Sequence, residues 1–214
     1  MRERLLSYLQ HRRRRERGTG DTDVPAAPEP GTRLRSDAQA NYNRLVAAAT
    51  TVIDREGADA PLTLIAAEAD VGIGTLYRRF PTRAHLIEAV YRHRITTLCD
   101  TTEDFLTDEP TPHAALQGWM TRFVDMLITH RAVPDAIRPL LASDTDFRTE
   151  TRNNLIAALV RFLSEGRRTG TIREDVDPVD ILRVLTGIAF LSETSDHARG
   201  SIALVADGLR PQQS

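Results

Sequence analysis

The chain has 214 residues, a formal net charge of −2, and 41% hydrophobic but only 5% aromatic residues, enough for one or two domains with an aliphatic core. Its single cysteine, Cys99, excludes an internal disulfide and a cysteine-based zinc site. No run approaches the roughly 18 apolar residues of a membrane helix, and no apolar secretory core opens the chain, so a cytoplasmic protein without a membrane partner is expected.

The charge is unevenly spread. Residues 1–98 carry a surplus of four positive charges and residues 99–214 a surplus of six negative ones, and every basic side chain is arginine. A basic front and an acidic back suit a head that touches a polyanion and a body that stays off it.

Residues 1–17 are dominated by the run Arg12 to Arg15, and residues 18–33 are rich in Gly, Pro, Ala, Thr and acid, a disordered linker by composition. The arginine run reads either as an arm that adds phosphate or minor-groove contacts, or as a flexible tail with incidental charge. Residues 1–35 are therefore set apart. Ser36 or Asp37 is expected to cap the first helix, which runs to about Glu56 with Leu45, Val46, Ala48, Ala49, Val52 and Ile53 at helical spacing. Gly57 should end it. Arg35 and Arg44 lie near its exposed start, where a phosphate could be met.

The stretch from Pro61 to Phe80, PLTLIAAEADVGIGTLYRRF, reads as two short helices around a tight turn at Asp70-Val71-Gly72. Asp tolerates a left-handed backbone there and Gly adopts one freely. A helix, turn and helix of this length, small at the crossing and basic at the far end, is the pattern that lays its second helix in the DNA major groove. Thr75, Tyr77, Arg78 and Arg79 on that second helix are groups that bond phosphate oxygens and base edges.

The run IAAEADVGIGTLYRRFPTRAHLIEAV resembles the DNA-binding domain of the TetR family of bacterial repressors, over about a quarter of the chain. Ile65, Ala66, Ala69, Val71, Gly74, Thr75, Leu76, Tyr77, Phe80 and Leu86 fall on the family's motif. Asp70 stands where Gly is usual, Gly72 where a Ser usually caps the second helix, Arg79 where His is common, and Arg83 where Lys is usual. Losing the Ser cap should weaken the second helix by up to about 1 kcal/mol. The resemblance implies an all-α protein: a three-helix DNA-binding head over residues 36–82 and a larger helical body over residues 83–210 that binds an effector and dimerises. The expected DNA contacts are Thr75 and Tyr77 to phosphate and base edges, Arg78 to either, Arg79 and Arg83 to the backbone, and Thr63 to a base. Gly74 and Arg44 join them.

Pro81-Thr82 should stop the second helix and cap a fourth from Arg83 to about Thr101, the mechanical link between head and body. Beyond it every segment reads as helix. Thr111-Pro112 opens one to about His130, a short one spans Pro134–Ala142, and a long one runs from about Asp146 to Glu165, broken by Gly166 and Gly170. Asp177-Pro178 opens another to about Glu193, and Asp196 opens the last, closed by Pro211. Nothing alternates with period two, so no sheet is expected.

Phe105, Trp119, Met120, Phe123, Met126, Phe147 and Phe162 are the candidates for an effector pocket, against the competing reading that they are ordinary core. The segment GRRTGTIREDVDP resembles the connection before the penultimate helix of TetR-family proteins. The resemblance then assigns Leu182, Leu185, Ile188, Ile202, Val205 and Leu209 to a homodimer interface, against intrachain core. Six scattered histidines and Cys99 form no catalytic or metal-binding spacing, although His85 and His93 could share a face. No catalytic residue, cofactor or metal is expected. The reading is a repressor that leaves a palindromic double-stranded operator when an unknown small molecule binds. The alternatives are a ligand-independent regulator or activator, or a ligand-binding helical bundle with an idle head.

Overall fold

The computed structural model describes residues 30–129 and 145–211. Helix α1 spans Pro30–Glu56, α2 Leu62–Glu68, α3 Ile73–Arg79, α4 Arg83–Asp100, α5 Thr102–Asp108, α6 Pro112–Thr129, α7 Thr145–Arg168, α8 Pro178–Leu191 and α9 Ser195–Gly208. No strand occurs among the described residues, and the chain adopts the expected all-α class. Ala40–Ser214 is one compact unit; in the unit before it, Met1–Gln39, helix is described from Pro30 onward. The arginine run at 12–15 and the expected helix over 134–142 lie outside the described residues.

Helix α1 begins earlier than expected. Ser36 and Asp37 lie inside it instead of capping it, and residues 30–35 of the expected linker are helical. Pro30 suits a first turn because its missing N–H would have no partner there. Gly57 ends α1 as expected, at φ +89 with its N–H on the Ile53 carbonyl at 2.9 Å. Several later helix starts use side-chain oxygens. Thr82 accepts from the His85 N–H at 3.3 Å, Thr111 from Ala114 at 3.2 Å, and Asp177 from Val179 at 2.8 Å. The last helix is capped by Thr194, not opened by Asp196, which lies in its first turn.

Two hydrophobic clusters organise Ala40–Ser214. In the head, Leu45, Val46, Ala49, Val52 and Ile53 of α1 meet Ile65 and Ala66 of α2, Leu76 of α3, Phe80, and Leu86, Ile87 and Val90 of α4. In the body, Ile95 and Leu98 of α4 meet Leu116, Trp119, Met120 and Phe123 of α6, with Leu159 and Phe162 of α7, Leu185 of α8 and Ile202 of α9. Helix α6 is the body's axis and packs against α5, α7, α8 and α9. Each buried aliphatic side chain contributes about 1.5–3 kcal/mol. Helix α4 is shared: its first half belongs to the head cluster and its second half to the body.

Two features depart from the sequence reading. Helix α4 ends by Thr101 as expected, but the chain resumes at once as α5, a helix the sequence reading did not set apart. Two local hydroxyl bonds and one tertiary bond meet at that corner. The Leu98 carbonyl accepts from the Thr101 hydroxyl at 2.7 Å and from the Trp119 indole N–H at 3.2 Å, and Thr102 bonds the Cys99 carbonyl at 2.7 Å. The expected break at Gly166 is absent, for α7 runs through it and Gly170, at φ +66, follows its end. Gly166 instead permits close approach: a Cβ there would lie 2.3 Å from Ile172 Cδ1 and 2.8 Å from Ile172 Cβ.

Candidate nucleic-acid interface

The turn between α2 and α3 depends on one residue. Asp70 takes the left-handed backbone at φ 53, and the Val71 N–H closes onto the Ala66 carbonyl at 2.9 Å. Gly72, expected to share that conformation, is extended at φ −68 and ψ 146 and stands at the N-cap of α3 without a side-chain bond. Only its carbonyl works there, accepting from the Thr75 N–H at 2.8 Å. A Cβ at Gly72 would meet nothing within 4 Å, so the turn has room for the usual serine.

Helix α3 is anchored by Leu76 and Phe80, both buried, and turns its other side outward. Tyr77 is 50% exposed, Gly74, Arg78 and Arg79 are exposed, and Thr75 is half-buried with its hydroxyl 3.5 Å from Arg78 Nη2. Thr63 on α2 and Arg44 on α1 are exposed as well. Arg79 lies with its guanidinium carbon 4.6 Å over the ring of Tyr42, a residue the sequence reading passed over. Arg83 has a partner within its own chain. It is half-buried and donates from Nη1 to the Ala58 carbonyl at 2.8 Å, tying the α1–α2 loop to the start of α4.

Among the described residues Arg44, Arg78, Arg79 and Arg83 have no carboxylate partner, whereas Arg55, Arg92 and Arg94 do. Arg55 pairs with Glu56 at 2.9 Å, Arg92 with Glu88 at 3.1 Å, and Arg94 with Asp54. The positive charge without a carboxylate thus lies on α3, one flank of α1 and the first turn of α4, an arrangement that suits a phosphate backbone.

The expected pocket residues divide. Trp119, Met120, Phe123 and Phe162 are buried in the body cluster, and Phe105 and Met126 pack against it half-buried. The Trp119 ring stacks on Phe123 at 5.7 Å and tilts against Phe162 at 5.8 Å. Phe147 belongs elsewhere. It sits in the head cluster, edge-on to Tyr91, because the first turn of α7 reaches the flank of α4. None of the seven lines the open grooves at Thr96–Arg161, at Arg167–Pro211 or along α8.

The expected dimer residues also divide. Leu185, Ile202 and Leu209 are buried in their own chain's core, and Leu182, Ile188 and Val205 are half-buried against it. The outward apolar face is a different set: Val184, Phe190 and Leu191 on α8 and Leu204 on α9. An open groove of about 720 Å³ runs there, lined by Val184, Gly187, Ile188 and Leu191 with His197 and Ser201 of α9. Helical spacing marked both faces of these helices as apolar and gave no means of telling which one the chain covers itself.

No group of three or more His, Cys, Asp or Glu able to hold a metal occurs among the described residues. The His85 ring bonds the Thr82 hydroxyl at 2.8 Å, and buried His113 bonds the Ala206 carbonyl through Nε2 at 2.7 Å. Burial, with Asp100 nearby, pushes the Cys99 thiol up to about 11. No described helix is long and apolar enough to cross a membrane.

Comparison with known proteins agrees with this geometry. Residues 45–90 match the family model of bacterial regulatory proteins of the tetR family, and residues 111–211 match the C-terminal domain of SbtR-like transcriptional regulators. A TetR transcriptional regulator from Streptomyces coelicolor is 40% identical, with 80% of this chain and 99% of that one covered and a TM-score of 0.66. A TetR transcription regulatory protein from Mycobacterium vanbaalenii is 30% identical, covering 83% and 99%, with a TM-score of 0.61. FadR from Bacillus subtilis, solved in complex with stearoyl-CoA, shares the fold at 18% identity, covering 79% and 100%, with a TM-score of 0.55. No curated protein matches the sequence.

Proposed function

Because the chain belongs to the TetR family of bacterial transcriptional regulators, whose members bind DNA, we propose that it is a repressor that binds a palindromic operator as a homodimer and is released by a small molecule. Residues 36–82 are the DNA-binding head and residues 83–210 the effector and dimerisation body. The protein works in the cytoplasm and carries out no catalysis.

The observation that carries this reading is the outer side of α3, where Tyr77, Arg78 and Arg79 are exposed beside Thr75 and neither arginine meets a carboxylate among the described residues. Thr75, Tyr77 and Arg78 contact base edges and phosphate, Arg79 and Arg44 the backbone, and Thr63 a base at the groove wall. Gly74 keeps the helix surface low where DNA approaches. Arg83 supports the head through Ala58 and offers its remaining N–H groups to phosphate. Dimerisation buries the exposed Val184, Leu191 and Leu204 against the same residues of a second copy, since a two-fold protein matches a two-fold operator.

Release works by a shift in population between two states. Helix α4 packs in both clusters, so a ligand that displaces its body half moves the head and changes the spacing of the two α3 helices. The heads then no longer fit major grooves about one helical turn (34–36 Å) apart. A neighbour of the same fold was solved in complex with stearoyl-CoA, which supports a small-molecule effector. A second reading, a regulator without effector, is favoured by the closed packing of Trp119, Phe123 and Phe162.

Selection of duplexes from a random-sequence pool by the full-length protein tests the reading. The expected product is a palindrome with half-sites about one turn apart. A pool that emerges without any enriched sequence would overturn it.

A further inference from the structure

Arg78 and Arg79 are neighbours on α3 and both exposed, yet the protein holds them differently. Among the described residues the Arg78 guanidinium bonds the Thr75 hydroxyl at 3.5 Å, the outer limit of a hydrogen bond. Arg79 lies over Tyr42, its guanidinium carbon 4.6 Å from the ring centroid. The Tyr42 ring in turn rests on Phe80, with centroids 5.6 Å apart and planes at 38°. Phe80 is 4% exposed, and Leu45, three residues after Tyr42 on α1, is 1% exposed. A line of contacts therefore runs from the head's core through Phe80 and Tyr42 to a surface guanidinium.

This arrangement suits a phosphate contact. A long arginine side chain loses rotational freedom when it binds, and a ring that already confines it removes part of that loss before DNA arrives. A guanidinium on an aromatic face uses its π surface for the ring and keeps its N–H edges for a phosphate oxygen pair. No carboxylate competes for Arg79 among the described residues.

We propose that Tyr42 is a positioning residue for DNA binding, holding Arg79 in reach of one backbone phosphate so that each head presents one fixed arginine and one adaptable arginine. The proposal rests on the DNA-binding reading and adds to it a residue on α1 that acts through α3.

The test is a double-mutant cycle on the full-length protein, using the duplex it selects from a random-sequence pool. Tyr42→Leu removes the aromatic face, Tyr42→Phe keeps it, and each is measured with Arg79 present and with Arg79→Ala. With Arg79 present, the leucine variant should bind about two- to fivefold more weakly per head, compounded over the two heads of a dimer, and the phenylalanine variant should bind like wild type. In the Arg79→Ala background the leucine change should have no further effect on binding, even though any loss of thermal stability from the Phe80 contact persists. Equal losses in both backgrounds would overturn the positioning role while leaving DNA binding intact. A wild-type protein that enriches no duplex would overturn the proposal together with the reading it rests on.

Discussion

Phe147, in the first turn of α7, meets the ring of Tyr91 on α4 edge-on, with centroids 6.2 Å apart and planes at 72°. The Arg92 guanidinium lies 4.6 Å over the same phenylalanine and pairs with Glu150 one turn further along α7. Helix α7 is thus the second element, after α4, to enter both clusters: Phe147 sits in the head, while Leu155, Leu159 and Phe162 sit in the body. Removing the ring should loosen the head from the body's longest helix. Phe147→Ala is expected to cost roughly 3–5 kcal/mol in chemical denaturation. Hydrogen exchange in α1–α4 should rise more than in α8 and α9. Uniform exchange across both clusters would argue that the contact is not local to the head.

The apolar face of α8 and α9 offers a cleaner separation of folding from assembly. Leu191 is 80% exposed and Leu204 75%, whereas Leu185 on the same pair of helices is fully buried. Leu191→Glu and Leu204→Glu should leave helix content and melting of the monomer unchanged and convert a dimer into monomer on sedimentation. Loss of one leucine's burial in each subunit removes two such contributions from the dimer and weakens association by roughly a hundred- to ten-thousandfold. Leu185→Glu should instead unfold the chain. A protein that stays dimeric with both surface substitutions would place its interface elsewhere.

Gly166 supplies a test of close packing. An alanine there would place its Cβ 2.8 Å from Ile172 Cβ, an atom that no rotamer change can move away. Gly166→Ala gains helix propensity but should still destabilise by roughly 1–3 kcal/mol, measured by urea titration. Gly187→Ala, where a Cβ meets nothing within 4 Å, is the control and should be neutral or slightly stabilising in the monomer.

The thiol of Cys99 should be inert at neutral pH. Burial, helped by Asp100, raises its pKa to about 11, so the reactive thiolate is scarce below that value. Alkylation of the native protein should be far slower than that of the unfolded chain at pH 8 and should rise with pH toward about 11. A native rate equal to the unfolded one at pH 8 would mean the thiol is unperturbed.

The head was legible in the sequence because its signals are local. The turn at Asp70, the apolar spacing of Leu76 and Phe80, the cap at Thr82 and the exposed Tyr77 and Arg78 are each set within a few residues. What the sequence withheld depends on which helix lies beside which. Phe147 carries no mark that it packs with Tyr91 and not with Trp119, and Leu185 and Leu191 look alike in spacing although one is core and the other surface. Tyr42 was passed over for the same reason, since its partner Arg79 is distant in the chain. The end of α4 near Thr101 was legible, but the separate helix α5 was not, and the Trp119 indole that bonds the Leu98 carbonyl at that corner comes from α6.

The most direct measurement is binding of the full-length protein to the DNA upstream of its own gene across a salt series, for wild type and for Tyr77→Ala. A head that reads DNA through α3 gives tight, sequence-selective binding that falls steeply as salt rises and is lost in the variant. Equal, weak affinity for that DNA and for random duplex, unchanged by Tyr77→Ala, would contradict the assignment of α3 as the reading helix.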